Sequence, residues 1–351
     1  MTKLNFLLLA LLPLAATTGP STAQDSAAFS DTVDVIEVLL DVVVSDRDGN
    51  VIVGLGPEDF VVNDAGQPVE LTGTTFYSNR RPVDSDDSEI PTDRYFIFFF
   101  DDDPGLGPIV TRQKLEVVRR TREWVSEELL PNDYVAIVRY VNKLVVHQDF
   151  TTDRAALDSA LDSVARGKDP GGNWPSRIED SSGPSLRRAL PQGNDLRDAT
   201  TRIYSALETI AKAAGGTTGR KNLLFFSFGF GEVGNSGFFV PDRRYYPQAM
   251  QVLNDNNVAV YSISLNQNVD VSGGVDSSLP QIAAETGGRY YDNFNTYKTP
   301  LREIAKDNSG YYLLSYRARV PAGESAYREV TVETVNPRFV VRARGGYRTG
   351  D

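Results

Sequence analysis

Residues 94–105 read RYFIFFFDDDPG, a run of large apolar side chains that passes without a break into three aspartates. Five consecutive apolar residues rich in aromatic and β-branched types read as a strand buried on both faces, as in a parallel sheet covered by helices. In open α/β sheets ligands are held outside the carboxyl ends of the strands, so Asp101, Asp102 and Asp103 fall where a cation or partner group is expected.

Alternation of strands and helices continues on both sides of this run. A helix over 111–130 is expected, with Leu115, Val118, Trp124, Val125 and Leu129 near one face and Pro131 just beyond its end. Two strands, YVAIVRYV at 134–141 and 144–150, are joined by a tight Asn142-Lys143 hairpin. Thr151, Thr152 and Asp153 offer caps for a helix reaching Val164. Residues 166–198 are rich in Gly, Pro, Ser and charge and show no clear periodicity, which marks an insertion. A helix over 199–214, strands at 222–228 and 258–265, and a short helix over 279–286 closed by Gly287-Gly288 follow. Glycine- and aromatic-rich loops separate these strands. From 94 to 310 the order of elements says doubly wound α/β.

The two ends of the chain are β in character. Residues 33–45, VDVIEVLLDVVVS, suggest one long strand or two short ones, followed by turn chemistry in DRDGN at 46–50. DRDG resembles half of a calcium loop, but the later ligands are missing, so it reads as a hairpin turn. A second short unit spans 60–69 with its turn at 64–66. Three alternating strands are expected at 311–320, 328–335 and 339–344. Strands this few need partners, and the nearest are those at 33–77. The first and last segments, 24–79 and 311–351, are therefore expected to form one β-sandwich from which an α/β domain at 93–310 emerges. Residues 80–92 are acidic and poor in apolar residues, which marks a linker.

Composition narrows the chemistry. The chain has 351 residues, no cysteine, one histidine and a formal net charge of −11. Without thiols or a second histidine, cysteine nucleophiles, thiolate zinc sites and HExxH hydrolases drop out. His147 lies in LVVHQDF, an apparent strand, and no GxSxG elbow offers it a serine. Net acidity argues against nucleic acid, which needs a concentrated basic face. Lys3, an apolar stretch over 4–16 and the small residues Ser21, Thr22 and Ala23 form an expected secretory signal, 1–23, cut after Ala23. No later run approaches the roughly 18 apolar residues of a membrane helix. The expectation is an exported protein of the periplasm or the exterior, without membrane insertion. GGTTGRKN at 215–222 enters a strand instead of leaving one, so it reads as a helix closure and not as a phosphate loop.

The ordered segments VLLDVVVSDRDGNVIVGLGPEDFVV, LPNDYVAIVRY, QDFTTDRAALDSAL, TTRIYSALETIAKAAGG, RKNLLFFSFG, IAAETGGRYYD, YYLLSYRA and REVTVETVNPRFVVRARGGY resemble the von Willebrand factor A domain. They resemble more closely the secreted bacterial proteins with such a domain described from acidobacteria. The likeness spans nearly all of the chain after the leader. It implies a central, mostly parallel sheet with one antiparallel edge strand, and a metal-ion-dependent adhesion site at the top of that sheet. In the family that site is Asp-x-Ser-x-Ser, a threonine and a further aspartate around Mg²⁺ or Ca²⁺, with one position left for a partner's carboxylate. Here the resemblance assigns Asp101 to the first position, Asp103 and Gly105 to the serines, Thr201 to the threonine, and Phe228 to the last aspartate. Asp101, Asp103 and Thr201 would remain as a reduced site. The alternative is that these aspartates face water and the N-terminus of the helix that follows, where negative charge is favoured.

Three functions follow from this reading. The first is a non-enzymatic adhesion or protein-binding module whose loops 101–110, 229–248 and 266–278 converge at the carboxyl end of the sheet and offer Phe230, Phe238, Phe239, Tyr245 and Tyr246 to a protein partner, through an acidic residue of that partner. The second is an inert envelope scaffold without metal. The third is a hydrolase using Asp101 and Asp103, although carboxylates two residues apart on one loop are poorly placed to flank a scissile bond.

Overall fold

The computed structural model describes residues 33–78, 93–102, 108–168, 183–233, 239–266, 278–323 and 325–350. The leader, the acidic segment 80–92 and part of each of the loops expected to converge lie outside the described residues. Within the compact unit 33–351, the chain opens with β1 (Val33–Ser45), β2 (Phe60–Asp64), β3 (Gln67–Val69) and β4 (Leu71–Ser78). It continues through β5 (Arg94–Asp101), α1 (Pro108–Glu127), β6 (Asp133–Tyr140), β7 (Leu144–Thr151), α2 (Arg154–Ala165), α3 (Gly193–Ala199), α4 (Ile203–Gly215) and β8 (Lys221–Ser227). Next come β9 (Glu232–Val233), β10 (Phe239–Val240), α5 (Tyr246–Asp255), β11 (Val258–Ser264), α6 (Ser278–Glu285), β12 (Tyr290–Tyr291) and α7 (Lys298–Asp307). The last elements are β13 (Gly310–Pro321), β14 (Tyr327–Thr334), β15 (Val340–Arg342) and β16 (Gly346–Arg348).

Six strands form the central sheet in the order β12-β11-β8-β5-β6-β7, parallel throughout except for the antiparallel β6–β7 edge. The apolar run occupies its centre. Side chains alternate across a strand, so Phe96, Phe98 and Phe100 enter one layer with Val118, Trp124, Leu157, Leu301 and Ile304, while Tyr95, Ile97 and Phe99 enter the other with Leu207, Ile210, Leu253 and Ile282. Helices α1, α2 and α7 thus cover one face, and α4, α5 and α6 the other. Trp124 stands edge-on to Phe96 and Phe98, at 5.4 and 5.6 Å between ring centres. Each such ring contributes about 1.5–3 kcal/mol by leaving water.

Several local expectations change on this frame. Leu115 is 49 % exposed and does not belong to the packed stripe of α1, which runs instead through Val117, Val118, Trp124 and Val125. The helix also begins three residues earlier, at Pro108, whose missing N–H costs nothing in a first turn. Within the 166–198 insertion, Leu196 buries the apolar side of α3. The aromatic loop after β8 gives way to α5, which starts at Tyr246-Pro247 and buries Ala249, Met250, Val252 and Leu253. Asp153 caps α2 by accepting from the Ala155 amide at 2.8 Å, and Gly216 closes α4 ahead of β8.

The ends of the chain pair with each other. β1 is a single strand, antiparallel to β13 from Val33↔Pro321 to Val42↔Tyr312, and the sheet order is β15-β1-β13-β4. A second four-stranded sheet, β16-β14-β2-β3, shares one apolar cluster with it, in which Leu40, Val42, Leu314 and Tyr316 meet Phe60, Val62, Val330 and Tyr347. The DRDGN segment is a turn whose Asp46 carboxylate accepts from the amides of Asp48 and Asn50 at 2.9 and 2.7 Å. Those bonds hold the Asp46 carboxyl below its usual pKa, led by the side-chain bond from Asn50.

Candidate functional site at the carboxyl rim of the central sheet

Strand β5 lies between β8 and β6, and the chain winds outward from it in both directions, which places the topological switch point at its carboxyl end. Asp101 ends β5 opposite Tyr140 of β6. Its Oδ2 accepts a hydrogen bond from Ser227 Oγ, the last residue of β8, at 2.6 Å. Ser227 Oγ in turn accepts from the Gly229 amide at 3.0 Å, which turns the chain away from the sheet.

The next residue is committed to an ion cluster. Asp102 Oδ2 accepts from Lys114 Nζ of α1 at 2.8 Å and from Arg139 Nη1 of β6 at 3.1 Å. Side-chain exposures are 14 % for Asp102, 12 % for Lys114 and 8 % for Arg139, so all three charges are largely withdrawn from water. The Asp102 amide donates to the Tyr140 carbonyl at 2.9 Å, fixing the backbone at that point. Arg139 also reaches the Gly167 and Lys168 carbonyls at 3.5 and 3.4 Å, and its Nε donates to His147 Nε2 at 3.4 Å. The one histidine therefore serves as an acceptor beside a guanidinium.

Thr201 lies on the same rim, because its carbonyl accepts from the Tyr140 hydroxyl at 3.1 Å. Its neighbour Thr200 is fully buried and structural: Oγ1 donates to the Leu196 carbonyl at 2.6 Å and accepts from the Leu144 amide at 3.0 Å. Phe228 is 6 % exposed and packs in the layer beneath α1 and α7. Asp103, Gly105 and Phe238 lie outside the described residues. Of the rings expected to meet a partner or, equally, to pack in the core, two are buried. Phe230 and Tyr246 are 4 % and 6 % exposed and belong to the core with Tyr204 and Phe225. Phe239 and Tyr245 are only partly buried. The Tyr245 ring carries the guanidinium of Arg202 at 4.6 Å and that of Arg244 at 5.4 Å.

Of the residues that the resemblance assigns to a hard cation, Asp101 and Thr201 lie on this rim, and Asp103 lies outside the described residues. Among the described residues, no three His, Asp or Glu side chains gather closely enough to hold a metal ion. Asp101 and Asp102 each have Oδ2 engaged by a protein donor, and two of those donors, Lys114 and Arg139, carry full positive charge. Neither Lys114 nor Ser227 stood out in the sequence. Arg139 had a signal, since an arginine inside the apolar stretch YVAIVRYV needs a buried counter-charge.

No known family profile matches the chain, and no curated protein does. Among solved structures, a von Willebrand factor type A protein from Catenulispora acidiphila is similar over 92 % of this chain and 74 % of its own, at 9 % identity and a TM-score of 0.40. BatB from Bacteroides thetaiotaomicron is similar over 61 % of this chain and 98 % of its own, at 16 % identity and a TM-score of 0.35. The von Willebrand factor domain of the type V pilus tip protein Mfa5 from Porphyromonas gingivalis covers 61 % of this chain and 94 % of its own, at 11 % identity and a TM-score of 0.35. At these values the architecture rests on the strand order and registers of the chain itself. No helix among the described residues is long and apolar enough to cross a membrane.

Proposed function

We infer that this chain is a protein-binding module of the von Willebrand factor A type, which meets its partner through the carboxyl rim of the central sheet. The observation that carries this reading is the Ser227–Asp101 bond at the switch point, because crevices at such points are where open α/β sheets hold ligands. The ordered segments that resemble the family support it. Beside the rim, Tyr245 between Arg202 and Arg244, together with Phe239, is the kind of aromatic and guanidinium group that dominates protein contacts. A partner offering an acidic side chain suits these basic groups.

In this reading residues 93–310 are the A-type domain, inserted between the segments 24–79 and 311–351 of a β-sandwich. The shared cluster of the two four-stranded sheets supports that division. Residues 1–23 direct export to the periplasm or beyond. The role in this reading is binding, and the carboxylate of Asp102 is held by two cations. A second reading, an inert envelope scaffold, draws on the same neutralised Asp102.

Cross-linking in the native host envelope, followed by co-purification, tests the first reading with the wild-type chain and Arg202→Glu/Tyr245→Ala. Loss of a wild-type partner in the folded variant supports it. The same partners on both chains would overturn it, and no partner on either would favour the scaffold.

A further inference from the structure

We propose that a cleft between helix α6 and the edge of strand β14 takes an extended, acidic segment of a partner protein as an added strand. The cleft has a volume of about 490 Å³. Pro280, Ala283 and Ala284 of α6 form one wall, and Val330, Thr331 and Val332 of β14 form the other. Between them the chain crosses from β15 in one sheet to β16 in the other through 343–345, where the Gly345 amide donates to the Glu285 carbonyl at 3.1 Å. That crossing leaves the edge open. β16 pairs with β14 only over 327–329, and the last bond on that side runs from the Val330 amide to the Gly345 carbonyl at 3.0 Å. Beyond it the direction of the backbone groups is fixed by the pairing with β2. The Glu329 carbonyl accepts from the Ala65 amide at 2.8 Å and the Val335 amide donates to Asp59 at 2.9 Å, so the odd-numbered residues face β2. Val332 therefore faces the cleft with its N–H and C=O, and the chain gives it no backbone partner there among the described residues. An open edge of this kind is a template for one more strand.

Charge selects the kind of strand. In a chain of net charge −11, Arg289, Arg342 and Arg344 line the cleft and, among the described residues, no acidic side chain does. Arg289 and Arg342 pair with carboxylates outside the lining, Glu303 at 2.8 Å and Asp307 at 3.0 Å. The Arg344 guanidinium instead donates to the carbonyls of Asn254 and Leu39, at 3.2 and 2.8 Å, which leaves it without a carboxylate of its own. The Nε groups of Arg342 and Arg344 are buried and have no acceptor. The cleft is thus positive, and an incoming acidic side chain complements it. Arg289, at 36 % exposure, is the guanidinium that such a side chain reaches from solvent. The cleft shares no residue with the carboxyl rim, so this inference stands apart from the role given to the rim.

The test uses the purified full chain and fluorescein-labelled peptides that alternate valine with aspartate or valine with lysine. In fluorescence anisotropy the aspartate peptide is expected to bind at least about tenfold tighter than the lysine peptide. Ala284→Trp, at an exposed position of α6, fills the cleft and should weaken that binding at least about tenfold, and Arg289→Glu should do the same. Hydrogen exchange reads the edge itself: in the free chain the Val332 amide should exchange at least about tenfold faster than those of Thr331 and Glu333, and the aspartate peptide should slow it. No binding of the aspartate peptide, equal binding of the two peptides, or binding unchanged in folded Ala284→Trp overturns the proposal. So does a Val332 amide already protected in the free chain. Binding that is lost in Arg202→Glu/Tyr245→Ala and kept in Ala284→Trp places the peptide on the rim and also overturns it. Should both cleft variants fail to fold, Val332 exchange in the wild type decides: slowing by the aspartate peptide supports the proposal, and no change overturns it.

Discussion

Ser227 Oγ donates to Asp101 Oδ2 across 2.6 Å, joining the last residues of the two central parallel strands. The bond closes the rim at the point where the chain reverses its direction of winding. Ser227→Ala removes the donor and leaves the gap small, so a loss of about 1–2 kcal/mol is expected in urea unfolding, with the fold retained. Ser227→Thr keeps the hydroxyl and should recover part of the loss.

The Lys114–Asp102–Arg139 cluster predicts an asymmetry between breaking one partner and replacing all three. Arg139→Met leaves part of a buried charge uncompensated and should cost about 3–5 kcal/mol. The triple variant Lys114→Met/Asp102→Leu/Arg139→Met removes every charge and should regain most of that stability. Chemical denaturation of the two variants side by side measures the difference.

Lys221 opens β8 at 3 % exposure, with Nζ donating to the Thr217 carbonyl at 2.9 Å. Burial pulls its pKa down from 10.5 to about 8, against the opposing pull of Asp41. Because the folded value lies below the unfolded one, the unfolded chain holds more protons between them, and this group's penalty fades as pH rises from about 8 toward 10.5. Lys221→Met should therefore gain about 2 kcal/mol at pH 7, after discounting the lost bond to Thr217, and the gain should shrink by pH 9.5. Urea midpoints of both chains at the two pH values check the sign.

Phe230 and Tyr245 should separate stability from binding. Phe230→Ala empties a core site against Tyr204 and Phe225 and is expected to cost about 3–5 kcal/mol. Tyr245→Ala, on a partly buried ring, should cost under about 1.5 kcal/mol while weakening partner recovery. Thermal unfolding and cross-linking yields report the two effects independently.

The central sheet could be read in the sequence because its strands are buried on both faces, and runs such as that over 96–100 have few other uses. Leu115 shows where periodicity misleads: it falls near the apolar stripe of α1 but points to water, since the helix is rotated to place Val117 and Val118 on the sheet. Helix α5 was hidden by the glycines and rings ahead of it. Phe230 and Tyr246 could be read either as anchors or as core, because composition cannot tell a ring that caps a core from one that greets a partner. The ion cluster was the least legible part. Its members come from a strand end, a helix and a neighbouring strand, and only the register that sets Asp101 opposite Tyr140 brings Arg139 within reach of Asp102.

The ladder between β1 and β13 joins the opening of the described chain to a strand made only after the whole α/β unit. Contacts that distant form late and slowly. During synthesis β1 must therefore wait without its pairing strand, its apolar side met only in part by β2, until the central sheet has been completed and β13 has emerged. A helper that shields residues 33–45 over that interval would matter more to yield than any stabilisation of the finished fold.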